Sequence, residues 1–340
     1  MLTRRPNLIA TAIMVLVCAF AQDAASEPTS AIANSEIQPA INGDLREMVL
    51  HDLADRTLDT FDLFTAALIL GGDRDRDAIV DCRKRLSALQ TRLGNLATAE
   101  ASQHEIAELT LRFLHREILT GEYQPGCCDL GATIQGGAHN CIMSTILFCV
   151  LGESLGLEIQ PVALPDHVRC ELINDGPGIT IETTSSNGFA ATDAGINAGD
   201  ESIDSSRIGP TNDGAASARR ISSVGLLAKV LYNRGLHSLD QRKFAAAFEQ
   251  TELSHRLDPG HLPAAGNVAS VINNWALHRC NDGDFAGAIE LLDRGLLLTE
   301  SKILDWNRTH IYSRWLQALE QSDSPDAAMK MENIKGAMEL

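Results

Sequence analysis

From Asp44 onward the apolar residues of DLADRTLDTFDLFTAALIL recur at intervals of three and four, the period of one helix face. Leu53, Leu58, Phe61, Leu63, Phe64 and Ala67 carry the pattern, and Gly71-Gly72 ends it. The period restarts over Asp77 to Leu93 with Ile79, Val80, Leu86, Leu89 and Leu93, and Gly94 closes that helix. A third helix is expected over about 101–119. The turn-rich run EYQPGCCDLGATIQGGAHN then leads into an almost wholly apolar helix that opens at Cys141. Past Gly156 the period drops to two. LEIQPVAL and HVRCELI read as strands around a Pro165-Asp166 turn, NDGPG as a hairpin turn and ITIETTS as a third strand. Helices followed by a short antiparallel sheet predict an α+β fold rather than a doubly wound one.

Residues 191–220 are rich in Gly, Ser, Asp and Asn and read as a linker or mobile loop. From residue 221 to 340 the pattern is helical and repeats itself. LYNRGLHSLDQRKFAAAFEQTELSHRLDP can be laid on INNWALHRCNDGDFAGAIELLDRGLLL, so that Gly235 falls on Ala276, Phe244 on Phe285, Ala247 on Ala288 and Ser254 on Gly295. Small residues at those offsets let antiparallel helices approach closely, with the phenylalanine filling the groove. These residues resemble tetratricopeptide repeats, including Asp258-Pro259 at the end of the first unit. The units are 41 residues apart rather than about 34, and Arg234 and Ser238 stand where large apolar residues are usual. Two or three degenerate repeats are expected, with an unrelated helical bundle as the other reading.

The N-terminus changes the picture of where the chain works. Arg4 and Arg5 precede an apolar run from Leu8 to Phe20, and Ala19-Phe20-Ala21 has a small-x-small pattern. This predicts a cleaved signal peptide over 1–21, followed by a disordered leader over 22–43, and an exported protein, periplasmic or extracellular. No integral membrane span is expected after cleavage. A net charge of −17 argues against nucleic acid or an anionic lipid surface as partner. Of the eight cysteines one lies in the signal peptide, and the odd number left in an oxidising compartment points to at least one thiol unpaired within the chain.

Cys141 is the most informative of these thiols. It opens a helix with Asn140 as its N-cap, where unpaired amides and the helix dipole favour a thiolate. His167 starts a strand, and Glu182 lies in the next one, on the opposite face from Ile181 and Thr183. Pairing of the two strands brings imidazole and carboxylate together, which gives nucleophile, base and orienting acid in chain order. Read one at a time, each residue has a plainer role: a core thiol, a satisfied histidine and a surface strand carboxylate. A zinc site built from His139, Cys141, His167, Cys170 and the Cys127-Cys128 pair is the chemical rival. Strand alternation sends His167 and Cys170 to opposite faces and argues against it. Cys149, Cys82 and Cys280 read as packing residues, and Cys127 or Cys128 as a disulfide half.

The run HNCIMSTILFCVLGESLGLEIQPVALPDHVRCEL, with ITIETTSSNG after it, resembles the core of the transglutaminase-like superfamily. The bacterial SirB branch, a helical N-terminal segment before the core and tetratricopeptide repeats after it, is the most similar. The resemblance covers about residues 45–190, and FDLFTAALIL is similar to that branch's first helix. It implies a helical N-terminal segment over 44–125 and a transglutaminase-like, papain-like core over 126–190, with a small antiparallel sheet. The all-α repeats follow over 221–340. It also implies Cys141 as nucleophile, His167 as base and Glu182 as third member, a position where the superfamily commonly has Asp. The Cys141 backbone N–H is the expected oxyanion donor, with the Gln135 side chain as a second. Neither a metal nor an organic cofactor is implied. The expected activity is hydrolysis or transfer of an amide-linked acyl group through a Cys thioester. A protein or peptide is the expected substrate, and a protein partner is expected on the repeats. The alternative is a non-catalytic interaction scaffold on the same fold.

Overall fold

The computed structural model describes residues 45–72, 75–173, 178–189, 218–322 and 324–338. The residues 1–21 and 22–43 read as signal peptide and leader, residues 174–177 of the NDGPG turn and nearly all of the 191–220 linker lie outside them.

The first predicted helix is two. α1 spans Leu45–Asp52 and α2 spans Leu63–Gly71. Between them Asp and Thr side chains compete for the backbone. The Asp52 carboxylate accepts from the amides of Asp59, Thr60 and Phe61, and Arg56 adopts a φ of 67°. Asp62 then caps α2, accepting from Thr65 N–H at 2.7 Å. Every residue of α2 is buried, and a Cβ at Gly71 would stand 2.1 Å from the Cys128 carbonyl oxygen, so only glycine fits there. α3 (Arg76–Gly94) and α4 (Gln103–Glu117) follow as expected, α4 with a Ser102/Glu105 capping box. A short α5 (Leu130–Thr133) forms inside the stretch read as turns. α6 spans Cys141–Glu153 and is apolar on all sides because it runs through the core, packed on α2 and α4.

The sheet is antiparallel, with order β3-β2-β1-β4. β1 is Ile159–Ala163, β2 Val168–Leu172, β3 Ile179–Ile181 and β4 Arg219–Arg220. Ala163 pairs with Val168 across the Pro165-Asp166 turn, and Cys170 pairs with Ile181. β4, at the end of the predicted linker, adds to β1 through Val162 and Ala163. The protein is therefore α+β, with a four-stranded sheet beside the α6 helix.

The remaining helices are α7 (Ser223–Asp240), α8 (Phe244–Leu257), α9 (Leu262–Asn281), α10 (Phe285–Leu298), α11 (Lys302–Glu320) and α12 (Ala327–Met338). The hairpins α7–α8 and α9–α10 share one turn geometry at the 41-residue offset. Arg242 (φ 57°) and Gly283 (φ 83°) are both left-handed. Arg242 N–H reaches Leu239 O and Lys243 N–H reaches Ser238 O, just as Gly283 N–H reaches Cys280 O and Asp284 N–H reaches Arg279 O. Gly235 lies against Thr251, and Ala247, Ala276 and Ala288 are fully buried.

The core does not divide at residue 220. Ile221, Val224, Leu226, Leu227, Val230 and Leu231 belong to the same cluster as α2 and α6, joined by Leu253 and Leu257 of α8. A second cluster begins with Ala247 and Phe248 and runs through α9, α10 and α11. The first repeat helix is thus a wall of the core, because its inward face is apolar enough to cover α2.

The matched turns predict matched sensitivity. Arg242→Val and Gly283→Val force a β-branched residue into the left-handed region, and each should lower unfolding stability by about 1–3 kcal/mol. Thermal and urea unfolding should show losses of similar size at the two sites, whereas Arg242→Gly should fall within about 1 kcal/mol of the parent.

Candidate active site

Asn140 is fully buried and caps α6, its Oδ1 accepting from the amides of Ile142 (3.1 Å) and Met143 (3.0 Å). Its Nδ2 donates to the carbonyls of Pro125 (2.8 Å) and Cys127 (2.9 Å). The same two carbonyls accept from Nδ2 of Asn233 on α7, at 3.2 and 3.1 Å. The 125–127 loop, the start of α6 and the first repeat helix are therefore held at one point. Cys141 is the first residue of α6, so its N–H has no partner within the helix and is turned toward the Tyr123 hydroxyl instead.

The three predicted site residues meet. His167 stands between the β1–β2 turn and the start of β2, and its Nε2 donates to Glu182 Oε2 at 2.6 Å. The ring also acts on the Cys141 sulfur, and with Nε2 occupied by the carboxylate, Nδ1 is the nitrogen left to serve the thiol. Glu182 lies just beyond β3 rather than within it, in a turn where its N–H donates to Gly188 O. Its Oε1 accepts from the Thr184 hydroxyl (2.6 Å) and amide (3.1 Å). The next residue, Thr183, fixes the turn. Its hydroxyl meets those of Ser144 (2.9 Å) and Thr145 (3.0 Å) on α6, and its carbonyl accepts from His115 Nε2 on α4 (3.0 Å).

The electrostatics follow from these contacts. Burial pushes the Cys141 thiol up, but the His167 imidazole, the Val168 N–H and the Tyr123 hydroxyl outweigh it and bring the thiol below its ordinary value. Burial would depress His167, yet its bonds to Cys141 and Glu182 and their negative charge raise it to about 10. Burial raises the Glu182 carboxyl, and His167 and Thr184 more than reverse that shift. Thiolate and imidazolium are consequently the favoured resting pair, over a window bounded below by the lowered thiol pKa and above by about pH 10.

Tyr123 is the contact that sequence reading missed. Glu122 O accepts from His139 N–H and His139 O from Gln124 N–H, and this parallel bridge sets Tyr123 beside the nucleophile. Nothing local in EYQPG signals that pairing. Gln135 is exposed in the turn after α5, with its backbone N–H on Ala132 O. No hydrogen bond joins its side chain to Cys141 among the described residues. His139 is buried against Tyr123, ring centroids 5.9 Å apart. No group of three or more His, Cys, Asp or Glu is arranged to hold a metal ion among the described residues. Cys170 faces α6 instead, its sulfur 3.9 Å from that of Cys149, both fully covered. No disulfide joins Cys127, Cys141, Cys149, Cys170 or Cys280 to a described residue.

No protein-family model matches the chain, and no curated protein matches it. One solved structure that it resembles is described as the crystal structure of menin, revealing the binding site for Mixed Lineage Leukemia (MLL) protein. The two are 10% identical over 82% of this chain and 78% of that one, with a TM-score of 0.39, too low to carry an argument.

The shared carbonyls make a specific prediction. Asn140→Ala loses a cap and two carbonyl contacts and should destabilise by about 2–3 kcal/mol, and Asn233→Ala by about 1–2. Each single variant leaves both carbonyls one amide partner, and the double variant leaves neither. Its loss in urea unfolding should therefore exceed the sum of the singles.

Proposed function

We propose that this chain is a transglutaminase-like thiol enzyme that acts on amide bonds through a thioester on Cys141. The observation that carries the reading is the 2.6 Å hydrogen bond from His167 to Glu182, in a pair whose imidazole draws the Cys141 thiol below its ordinary value. The thiolate attacks the amide carbonyl, forming a C–S bond and a tetrahedral oxyanion. The Cys141 N–H, at the start of α6, is the donor for that oxygen. As the C–N bond breaks, the His167 imidazolium gives its proton to the departing amine. Neutral His167 then takes a proton from water, for hydrolysis, or from an amine, for acyl transfer, as that nucleophile attacks the thioester and frees the sulfur. Glu182 fixes the ring's orientation and stabilises the imidazolium. Sulfur, imidazole and carboxylate supply nucleophile, proton transfer and anchor, so the mechanism calls on no metal or organic cofactor.

The resemblance to the SirB-type branch and the signal-like residues 1–21 support an exported enzyme, periplasmic or extracellular, acting on a protein or peptide. Among the described residues no helix is long and apolar enough to cross a membrane. A second reading, a binding scaffold built on the repeats, is favoured by the apolar side chains that α10 and α11 expose. Leu297 is 88%, Ile303 65% and Trp306 67% accessible.

Alkylation tests the thiol reading. Iodoacetamide should modify wild-type Cys141 at pH 6–7 faster than it modifies free cysteine, whose thiol titrates near about 8.5. His167→Ala leaves only the Val168 N–H and the Tyr123 hydroxyl to oppose burial and should slow that reaction at least about tenfold. Glu182→Gln should move the acid limb of the profile upward and lower turnover by about 10²–10⁴. Modification of Cys141 only above about pH 8.5 would exclude the proposed nucleophile.

A further inference from the structure

Around the thiol stands a second set of polar side chains that the triad does not use. Lys229 lies on α7 one turn before Asn233, on the face that meets the 125–127 loop and the start of α6. It is only 4% exposed, yet it makes no hydrogen bond or ion pair among the described residues. Most of that side chain is out of water, so an ammonium there gains from an anion that reaches it.

The nearby acids are committed elsewhere. Asp258 at the end of α8 is held by Arg219 Nη2, at 2.7 and 2.8 Å from its two oxygens. Glu182 is held by His167, and Asp166 is exposed on the β1–β2 turn. His261, which precedes α9, stacks edge-on against Tyr232 at 4.8 Å. It is 8% exposed, and its Nδ1 is buried without a partner. Burial and the neighbouring Lys229 charge hold His261 down to about 4, so it is neutral at physiological pH. Burial likewise lowers Lys229, while the negative charges of Asp258, Cys141 and Asp166 pull it back up. Lys229 stands one turn from Asn233, whose amide shares two carbonyls with the Asn140 cap of Cys141, and an added carboxylate would favour its charged form.

We infer that Lys229, with the unpartnered Nδ1 of His261 beside it, is a recognition site for a carboxylate on the substrate. The substrate class is then an anionic peptide, one with a free carboxylate close to the amide that Cys141 attacks. This rests on the thiol-enzyme reading and narrows it. The chain's charge of −17 does not oppose it, because exposed charges are screened over about 8 Å, whereas a buried ammonium acts at contact. Lys229 is a binding residue here and takes no part in proton transfer.

Two reagents of nearly the same size separate the roles: iodoacetate carries a carboxylate and iodoacetamide does not. Rates of Cys141 modification by each, followed by intact mass at pH 6.5, give an iodoacetate-to-iodoacetamide ratio. For the wild-type protein that ratio should exceed the free-cysteine ratio by about tenfold. Lys229→Met should bring it down to the free-cysteine value, and Lys229→Arg, which keeps the charge, should retain the preference. A wild-type ratio no higher than that of free cysteine, a comparison that needs no variant, overturns the inference. So does a folded Lys229→Met protein with the wild-type ratio. Rapid iodoacetamide modification without charge preference removes the carboxylate site and leaves the thiol reading standing. Absence of reaction with either reagent removes both.

Discussion

The carbonyls of Pro125 and Cys127 are each gripped by two asparagine amides, and the rest of the site depends on that clamp. Asn140 belongs to the nucleophile helix and Asn233 to the first repeat helix, so one loop ties two segments that sequence reading treats as separate domains. With its Nδ2 committed to the loop, Asn140 turns Oδ1 to the second and third amides of α6 and leaves the first, that of Cys141, outside the cap. The sulfur and the N–H that the proposed mechanism needs are consequences of one buried cap.

A second clamp, at Thr183, sets the other half of the site. Hydroxyls on α6 and an imidazole on α4 hold the residue after Glu182, so the carboxylate is positioned by contacts to the helix that carries the thiol. Base and acid are therefore fixed to the same body as the nucleophile. Hydrogen bonds and charge then work against burial, which alone would leave Cys141 a protonated thiol and His167 a neutral imidazole. Lys229, one turn from Asn233, is carried to the same place by the same anchoring of α7.

Much of this was legible from residue patterns. The apolar helix opening at Cys141, the strands around Pro165-Asp166 and the 41-residue repeat follow from periods that one element can satisfy by itself. The sequence reading went astray where polar side chains compete with periodicity. In ADRTLDTFD the Asp and Thr side chains end α1 and restart the chain as α2, although the apolar spacing continues across the break. It also placed Glu182 inside a strand, whereas pairing ends at Ile181 and the turn contacts take over.

Local spacing alone determined the helix-then-sheet order, the thiol at a helix start and the three residues able to form a triad. Each of these depends on neighbours within a turn or a strand, which the sequence states directly. Only the tertiary structure decided that α7 closes the first core, that Tyr123 stands beside the sulfur and that Lys229 is buried near the same loop. Those facts depend on contacts between residues from tens to more than a hundred positions apart, and they are set by which faces must be covered together.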